Sequence, residues 1–99
     1  MAKQITPAEL AMRIRAMEEV NIIDVREKAE VEEGRIIGAK HIPLGQLPLR
    51  KDELDQNKVY IVVCRSGNRS KAASGILEAF GYEVEDMVGG MNDWNGELG

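Results

Sequence analysis

Cysteine is nearly absent from this sequence, since Cys64 is the only one among 99 residues. A single cysteine excludes an intramolecular disulfide and a zinc site built from several cysteines, and it leaves no second thiol to resolve an oxidised first one. Such sparing use of cysteine suits a reducing compartment, and the cytoplasm is the expected location. The sequence also has no apolar run near the roughly 18 residues of a membrane-spanning helix, and no apolar signal-peptide core at its start. We therefore expect neither a membrane partner nor secretion.

Aromatic side chains and positive charge are also scarce. Only 4% of the residues are aromatic, so a core must be built mainly from aliphatic side chains. Lys and Arg number 13 against 17 Asp and Glu, which gives a formal net charge of −4. No nucleic acid is expected as a partner, because proteins that bind nucleic acids usually carry a basic excess. A hydrophobic share of 43% over 99 residues predicts one folded domain, residues 1–99.

The stretch around Cys64 is the most specific part of the chain. The apolar, mostly β-branched residues 59–63 are typical of a buried strand that ends at the cysteine, and a loop of small and polar residues follows. Apolar side chains at helical spacing then predict an amphipathic helix that has Ser70 as its N-cap and Gly81 at its C-terminal end. The stretch therefore predicts a strand, a loop and a helix in succession.

Cys64 lies where a nucleophile is favoured. Between the carboxyl end of a strand and the N-terminus of a helix, it faces unpartnered N–H groups and the positive end of the helix dipole, which favour the thiolate. The cations Arg65, Arg69 and Lys71 act in the same direction. Gly67 allows the loop a positive φ that turns N–H groups inward around an anion. The alternative, a small hydrophobic core residue, needs neither this glycine nor these cations.

Three polar residues on other segments are further candidates for the site. Asp24 and Arg26 end a short apolar strand over residues 21–26, and in a parallel sheet they would lie at the same edge as Cys64. We favour a supporting role for them, in holding the following turn, over direct catalysis. His41, the only histidine, could serve as a general base for Cys64, but a structural role is favoured for it as well.

The first helix has clear start signals. Thr6 is the predicted N-cap, Pro7 takes the first helical position and Glu9 completes a capping box. The helix should bury one apolar face and end near Asn21. The residues of this face are Ala8, Leu10, Ala11, Ile14 and Met17.

The remaining segments predict short elements. Residues 27–33 form an acidic helical turn with a solvated face, and residues 44–55 form broken helical turns interrupted by a proline. Residues 82–88 alternate like an exposed or edge strand whose carboxylates face water. Residues 89–94 predict a tight turn and a short helix that lets Trp94 cover the core.

Short apolar strands that alternate with helices predict an α/β domain with a central, mainly parallel sheet of about five strands and helices on both faces. Four segments resemble the signature blocks of the single-domain rhodanese family, in the same order and across nearly the whole chain. They are residues 24–26, 38–43, 64–70 and 89–94. One departure is Arg35, which stands where family members often carry a histidine.

The resemblance implies a sulfurtransferase with Cys64 as its catalytic residue and with no metal or other cofactor. The cysteine would take a sulfane sulfur from a small anionic donor such as thiosulfate, become a persulfide, and pass the outer sulfur to cyanide, a thiol or a protein acceptor. The N–H groups of the active-site loop would hold the outer sulfur as an anion. A monomer is expected. The loop consists of Arg65, Ser66, Gly67, Asn68, Arg69 and Ser70.

Two other functions stay open. Cysteine phosphatases and some arsenate reductases also place a cysteine loop between a strand and a helix, but their pattern has one residue more than the four between Cys64 and Arg69. The second alternative is a sulfur carrier or redox-sensing module, because a reactive thiolate is also oxidisable. Steady-state turnover, compared with one stoichiometric transfer, would separate an enzyme from a carrier.

Overall fold

A five-stranded sheet forms the centre of the molecule, seen in a computed structural model that describes residues 2–99. The strands are β1 (Lys3–Ile5), β2 (Asn21–Asp24), β3 (Lys40–His41), β4 (Val59–Val63) and β5 (Glu83–Met87). Their order across the sheet is β1-β5-β4-β2-β3, and every pairing is parallel. The predicted α/β class with a central parallel sheet is confirmed.

Helices connect the strands and cover the sheet. They are α1 (Pro7–Arg15), α2 (Lys28–Glu32), α3 (Leu47–Arg50) and α4 (Asn68–Ala79), with 3₁₀ turns at Leu44–Gln46, Lys51–Glu53 and Gly90–Asp93. The predictions of a short helical turn in residues 27–33 and of broken helical turns in residues 44–55 are confirmed. Within residues 2–99, no helix combines the length and the apolar character that crossing a membrane requires.

The core has two layers because successive side chains of a strand point to opposite faces of the sheet. In β4, Val62 points to one face and packs in a cluster with Leu77 of α4. Its neighbour Ile61 points to the other face and packs in a cluster with Leu10 of α1. Trp94 packs, partly buried, against this second cluster, as predicted from the sequence.

Two of the predicted helix signals are confirmed. The Thr6 hydroxyl accepts a hydrogen bond from the Glu9 N–H at 3.1 Å, and the Glu9 carboxylate accepts one from the Thr6 N–H at 3.0 Å. At the C-terminal end of α4, Gly81 has a φ of 90°, and the Tyr82 N–H donates to the Leu77 carbonyl at 3.0 Å. This is the left-handed glycine that closes many helices.

The predicted end of α1 is wrong. The helix stops at Arg15 rather than near Asn21, because Met17 turns into the left-handed region with a φ of 59°. Leu10 is fully buried, but Ile14 is 36% and Met17 is 91% exposed. The helical spacing of apolar residues therefore continued past the point where the backbone leaves the helix.

The prediction of an edge strand at residues 82–88 is also wrong. β5 lies between β1 and β4, so it is paired on both sides. Its carboxylates do not all face water, since Asp86 is only 7% exposed and Glu85 is half-buried beside Arg13. The partner strand β1 ends at Ile5, where the sequence suggests a short first strand, but nothing in the sequence indicates that it pairs with β5.

The helix after Cys64 begins earlier than predicted. Gly67, with a φ of 104°, is the N-cap of α4, and Asn68 is the first helical residue. Ser70 therefore lies inside the first turn and does not cap the helix. Its side chain is fully buried and points toward the site described next.

Candidate active site around Cys64

Cys64 directly follows β4 and has none of its surface exposed. Its Sγ atom accepts a hydrogen bond from the Gly67 N–H at 2.9 Å. An N–H donor at this position stabilises a thiolate more than a neutral thiol. The side chain also packs in the same cluster as Val62 and Leu77. Cys64 therefore combines the burial of a core residue with a polar contact that a core residue does not need.

The loop above the sulfur is shaped by Gly67. Its φ of 104° lies in the left-handed region, where a side chain would be strained, and this turn directs the N–H onto the sulfur. Gly67 thus adopts the positive φ that the sequence predicts. Ser66 and Asn68 on either side of it are exposed at the rim of the loop.

Gly90 brings a second segment against the base of this loop. The Met91 N–H donates to the Cys64 carbonyl at 2.7 Å, and the Asn92 N–H donates to the Arg65 carbonyl at 2.9 Å. A Cβ atom on Gly90 would lie 2.5 Å from the Arg65 carbonyl oxygen, so only glycine allows this approach. The backbone on the C-terminal side of Cys64 is therefore held by the 3₁₀ turn Gly90–Asp93.

Glu30 of α2 is a site residue that the sequence interpretation missed. Its carboxylate accepts hydrogen bonds from both terminal nitrogens of Arg69 at 2.6 Å and lies 3.0 Å from Arg65 Nε. The side chain is 16% exposed, so the predicted solvated face of residues 27–33 is wrong at this position. Glu30 and Arg69 are 39 residues apart, and no local spacing connects them.

The pairing with Glu30 changes the charge around the loop. Hydrogen bonds from Arg69 lower the pKa of Glu30 from its usual 4.5 to about 2, against the opposing effect of burial. The same hydrogen bonds raise the pKa of Arg69. Arg65 also lies 3.4 Å from Glu33. Two arginines thus face two glutamates, which offsets two of the three positive charges of Arg65, Arg69 and Lys71.

Asp24 and Arg26 form a buried ion pair at the end of β2. Arg26 Nη2 and Nε donate to the Asp24 carboxylate at 2.7 and 2.9 Å. The same guanidinium donates to the carbonyls of Glu30 and Gly34 at 3.3 and 2.8 Å. Asp24 pairs in register with Val63, the residue before Cys64. These contacts hold α2 and the chain after it at the edge where Cys64 lies, which agrees with the favoured turn-holding role.

His41 ends β3 and faces the same edge of the sheet. Its Nε2 atom lies 2.7 Å from the Arg26 carbonyl oxygen. Because a carbonyl oxygen only accepts, Nε2 is the donor in this contact. That nitrogen is therefore not available as a base, and the contact favours the structural role.

Asp86 is the second site residue that the sequence interpretation missed. The Cys64 thiol donates to Ser70 Oγ at 3.4 Å, and the Ser70 hydroxyl lies 2.6 Å from Asp86 Oδ1. The sequence predicts Ser70 as a loop residue and as a helix cap. It does not cap the helix; its hydroxyl instead contacts Asp86. Asp86 carries no local signal, because its position beside the loop depends on β5 lying next to β4.

A cavity of about 210 Å³ opens beside the loop. Arg65, Arg26 and Asn92 contribute polar groups to its wall, and Met91 and Trp94 contribute apolar surface. The cavity reaches the loop from the side of Arg65. Of residues 64–70, only Arg65 lines this cavity, so the cavity borders the loop but Cys64 is not in its wall.

The chain is similar to known proteins in sequence and in structure. Residues 6–97 match the model of the rhodanese-like domain family. YtwF of Bacillus subtilis, provisionally named a sulfurtransferase, is 43% identical over 95 residues, which cover 96% of this chain and 92% of that protein. YrkF of the same organism, provisionally named a sulfur carrier protein, is 42% identical over 81 residues, which cover 81% of this chain and 44% of that protein. The crystal structure of a rhodanese-like domain protein from Staphylococcus aureus matches with a TM-score of 0.93 and 36% identity, over 98% of this chain and 96% of that chain.

Proposed function

The chain belongs to the rhodanese-like domain family, and we propose that it is a sulfurtransferase that moves a sulfane sulfur through a persulfide on Cys64. The observation that carries this proposal is the sulfur of Cys64 beneath the loop, 2.9 Å from the Gly67 N–H. The similarity to YtwF, named as a sulfurtransferase and aligned with 96% of this chain, supports the general activity.

The first half of the proposed reaction loads the cysteine. The Cys64 thiolate attacks the outer sulfur of a donor such as thiosulfate, so that a new S–S bond forms while the donor's own S–S bond breaks. Sulfite leaves with the electron pair of the broken bond, and the outer sulfur remains on Cys64 as an anionic persulfide. The N–H groups and the positive dipole end at the start of α4 stabilise this anion.

The second half unloads the sulfur. An acceptor nucleophile attacks the outer sulfur, the S–S bond to Cys64 breaks, and its electron pair returns to Sγ as the thiolate. Cyanide becomes thiocyanate, and a thiolate acceptor becomes a persulfide. Each half exchanges one bond to sulfur for another, so no external oxidant or reductant is consumed.

In this proposal, backbone N–H groups bind the anionic donor, and arginine side chains contribute less. Arg65 and Arg69 are paired with Glu30 and Glu33, so the four side chains carry no net charge. The N-terminus of α4, a helix of 12 residues, keeps its unpaired N–H groups and its dipole. We therefore expect a preference for small anionic donors that does not depend on free arginine side chains.

The proposal is tested by the intact mass of the reduced protein after incubation with thiosulfate, and again after addition of cyanide. We expect a gain of one sulfur atom that cyanide removes. The Cys64→Ser variant, treated in parallel, should show no gain while its circular dichroism spectrum stays that of the folded protein. No gain in the wild type, despite a thiol that reacts with iodoacetamide, would contradict the proposal and favour the phosphatase-like or redox-sensing alternatives.

A sulfur-carrier role is the second candidate, and the similarity to YrkF favours it. A carrier would form the same persulfide on Cys64 but would release its sulfur only to a protein partner. Thiocyanate formation over time separates the two roles. Many turnovers per protein molecule indicate an enzyme, whereas a single burst equal to the protein concentration indicates a carrier.

The cellular location, the oligomeric state and the acceptor are part of the same proposal. A chain whose only thiol is its nucleophile suits a reducing compartment, and we place it in the cytoplasm as a monomer of one domain, residues 1–99. The acceptor is then a small thiol or a protein thiol. Sedimentation of the purified protein tests the monomer directly.

A further inference from the structure

A chain of buried polar atoms leads from Cys64 into the sheet. Ser70 Oγ lies 3.4 Å from Cys64 Sγ, 3.1 Å from the Gly67 carbonyl oxygen and 2.6 Å from Asp86 Oδ1. Ser70 is 0% and Asp86 is 7% exposed. The sulfur-transfer scheme above uses neither the Asp86 carboxylate nor the direction of the Ser70 hydroxyl.

The direction of that hydroxyl follows from the number of protons available. A serine hydroxyl has one proton to donate. The contact with Asp86 is the shortest of the three, and a hydrogen bond from a hydroxyl to a carboxylate is charge-assisted and stronger than one to a neutral carbonyl. The Ser70 proton therefore points to Asp86, and Ser70 presents a lone pair to the sulfur of Cys64.

This direction favours one protonation state of the cysteine. A thiol can donate its proton to the lone pair of Ser70, whereas a thiolate has no proton to donate and is repelled by that lone pair. The contact with Ser70 thus opposes the contact with the Gly67 N–H, which favours the thiolate.

We propose that Asp86 is a positioning residue that, through Ser70, keeps Cys64 in its thiol form when no donor is bound. A thiol is less nucleophilic and less easily oxidised than a thiolate. Asp86 therefore lowers the reactivity of the empty site, although it does not touch the sulfur itself.

The Asp86→Asn variant should reverse the chain of hydrogen bonds. The amide can donate to Ser70 Oγ, which frees the hydroxyl proton to point to Cys64 Sγ and stabilise the thiolate. We expect the pH midpoint of Cys64 alkylation to fall by about one unit, which corresponds to a roughly tenfold faster reaction below both midpoints.

The Asp86→Asn variant also removes a negative charge, and this alone favours the thiolate even without Ser70. To separate the two effects, the same substitution is made in a protein that lacks the Ser70 hydroxyl. In the Ser70→Ala background, Asp86→Asn should move the midpoint by less than about a third of the shift seen with Ser70 present, if the effect passes through the hydroxyl. The other charged groups on elements that flank Cys64 are the same in every variant and cannot produce a difference between them. They include Asp24, Arg26, Glu30, Arg65, Arg69, Lys71, Glu85 and Asp93.

The experiment measures the rate of alkylation by iodoacetamide across the pH range in which thiols titrate. It compares wild type, Asp86→Asn, Ser70→Ala and the double variant. Ser70→Thr, alone and combined with Asp86→Asn, is the control: it keeps a hydroxyl, so Asp86→Asn should still shift the pH midpoint. A large shift with the hydroxyl and a small one without it supports the proposal. An equal shift in both backgrounds, or none in either, overturns it.

A second measurement needs no variant at Ser70 or Asp86. Infrared spectroscopy of the wild type at neutral pH should show an S–H stretching band that is absent from Cys64→Ser. Absence of this band from the wild type would overturn the proposal even where the other variants do not fold. The inference concerns the site of the proposed sulfur transfer, but both tests detect the thiol without a sulfur donor. Failure of the persulfide experiment and failure of this one are therefore distinguishable.

Discussion

Glu30 joins two parts of the site that are far apart in the sequence. From α2 its carboxylate holds Arg69 at the start of α4 through two hydrogen bonds of 2.6 Å. Arg65 in the loop lies 3.0 Å from the same carboxylate. An acidic residue that the sequence places on a solvated helix face therefore supports the loop around Cys64.

The Glu30→Gln variant should be less stable than the wild type at neutral pH. We expect the free energy of unfolding to fall by roughly 1–2 kcal/mol, because the amide keeps the shape but loses the charge that strengthens hydrogen bonds from arginine. Urea denaturation measures the difference. Glu32→Gln, at an exposed position of the same helix, is the matched control and should change stability little.

The same pair makes a prediction about pH. The pKa of Glu30 is lowered from 4.5 to about 2 in the folded protein, so the carboxylate stabilises the fold fully above pH 4.5. That contribution is lost as the pH falls from 4.5 through about 2, where the folded state also takes up the proton. The stability difference between wild type and Glu30→Gln should shrink over this window. A difference that stays constant down to the lower limit would contradict the role given to the charge.

At the scale of elements, α4 has two glycines with opposite requirements. Gly67 caps the helix with a φ of 104°, a conformation that other residues adopt only with strain. Gly75 lies in the middle of the helix, and an added Cβ would meet no atom within 4 Å. The first glycine is required by the loop, while the second only weakens the helix.

Alanine at these two positions should therefore change stability in opposite directions. Gly75→Ala should stabilise the protein by roughly 0.5–1 kcal/mol, since alanine is the better helix former. Gly67→Ala should cost about 1–2 kcal/mol and should slow persulfide formation, because it strains the turn that directs the N–H to Cys64. Urea denaturation and the rate of mass gain with thiosulfate check both. Equal effects of the two substitutions would contradict this assignment.

Local chemistry explains which elements the sequence could predict. The hydroxyl of Thr6, the missing side chains of Gly67 and Gly81, and the β-branched run of β4 act within a few residues, and each prediction from them agrees with the structure. The predicted end of α1 does not agree with the structure, because the turn at Met17 belongs to the connection from α1 to β2. Side-chain spacing carries no information about that path.

At the scale of the whole molecule, the order of the strands in the sheet could not be predicted from these local signals. β5 lies inside the sheet because β1, from the start of the chain, pairs with it. The pairing of β5 with β4 brings Asp86 beside Ser70, as the packing of α2 brings Glu30 to Arg69. The strand β4, the turn at Gly67 and the helix that follows could be predicted because they are consecutive residues. Glu30 and Asp86 could not, because long-range packing brings them there.

The complete burial of Cys64 predicts strong selection among thiol reagents by size. A reagent must pass the loop, so a bulky maleimide needs a larger local opening than iodoacetamide does. In urea both reagents reach the sulfur freely. We expect the rate with iodoacetamide divided by the rate with the maleimide to be at least about tenfold larger in the folded protein than in urea. Equal ratios under the two conditions would show that the loop does not screen the sulfur.

The same burial has a consequence for the regiochemistry of sulfur release. A persulfide has two electrophilic sulfur atoms: attack on the inner one forms a mixed disulfide and expels hydrogen sulfide, and attack on the outer one transfers the cargo intact. With Cys64 Sγ enclosed by its loop and by the core, a large acceptor meets the outer atom first. In the proposed reaction, burial of the inner sulfur would therefore favour transfer of the outer sulfur over its loss as hydrogen sulfide.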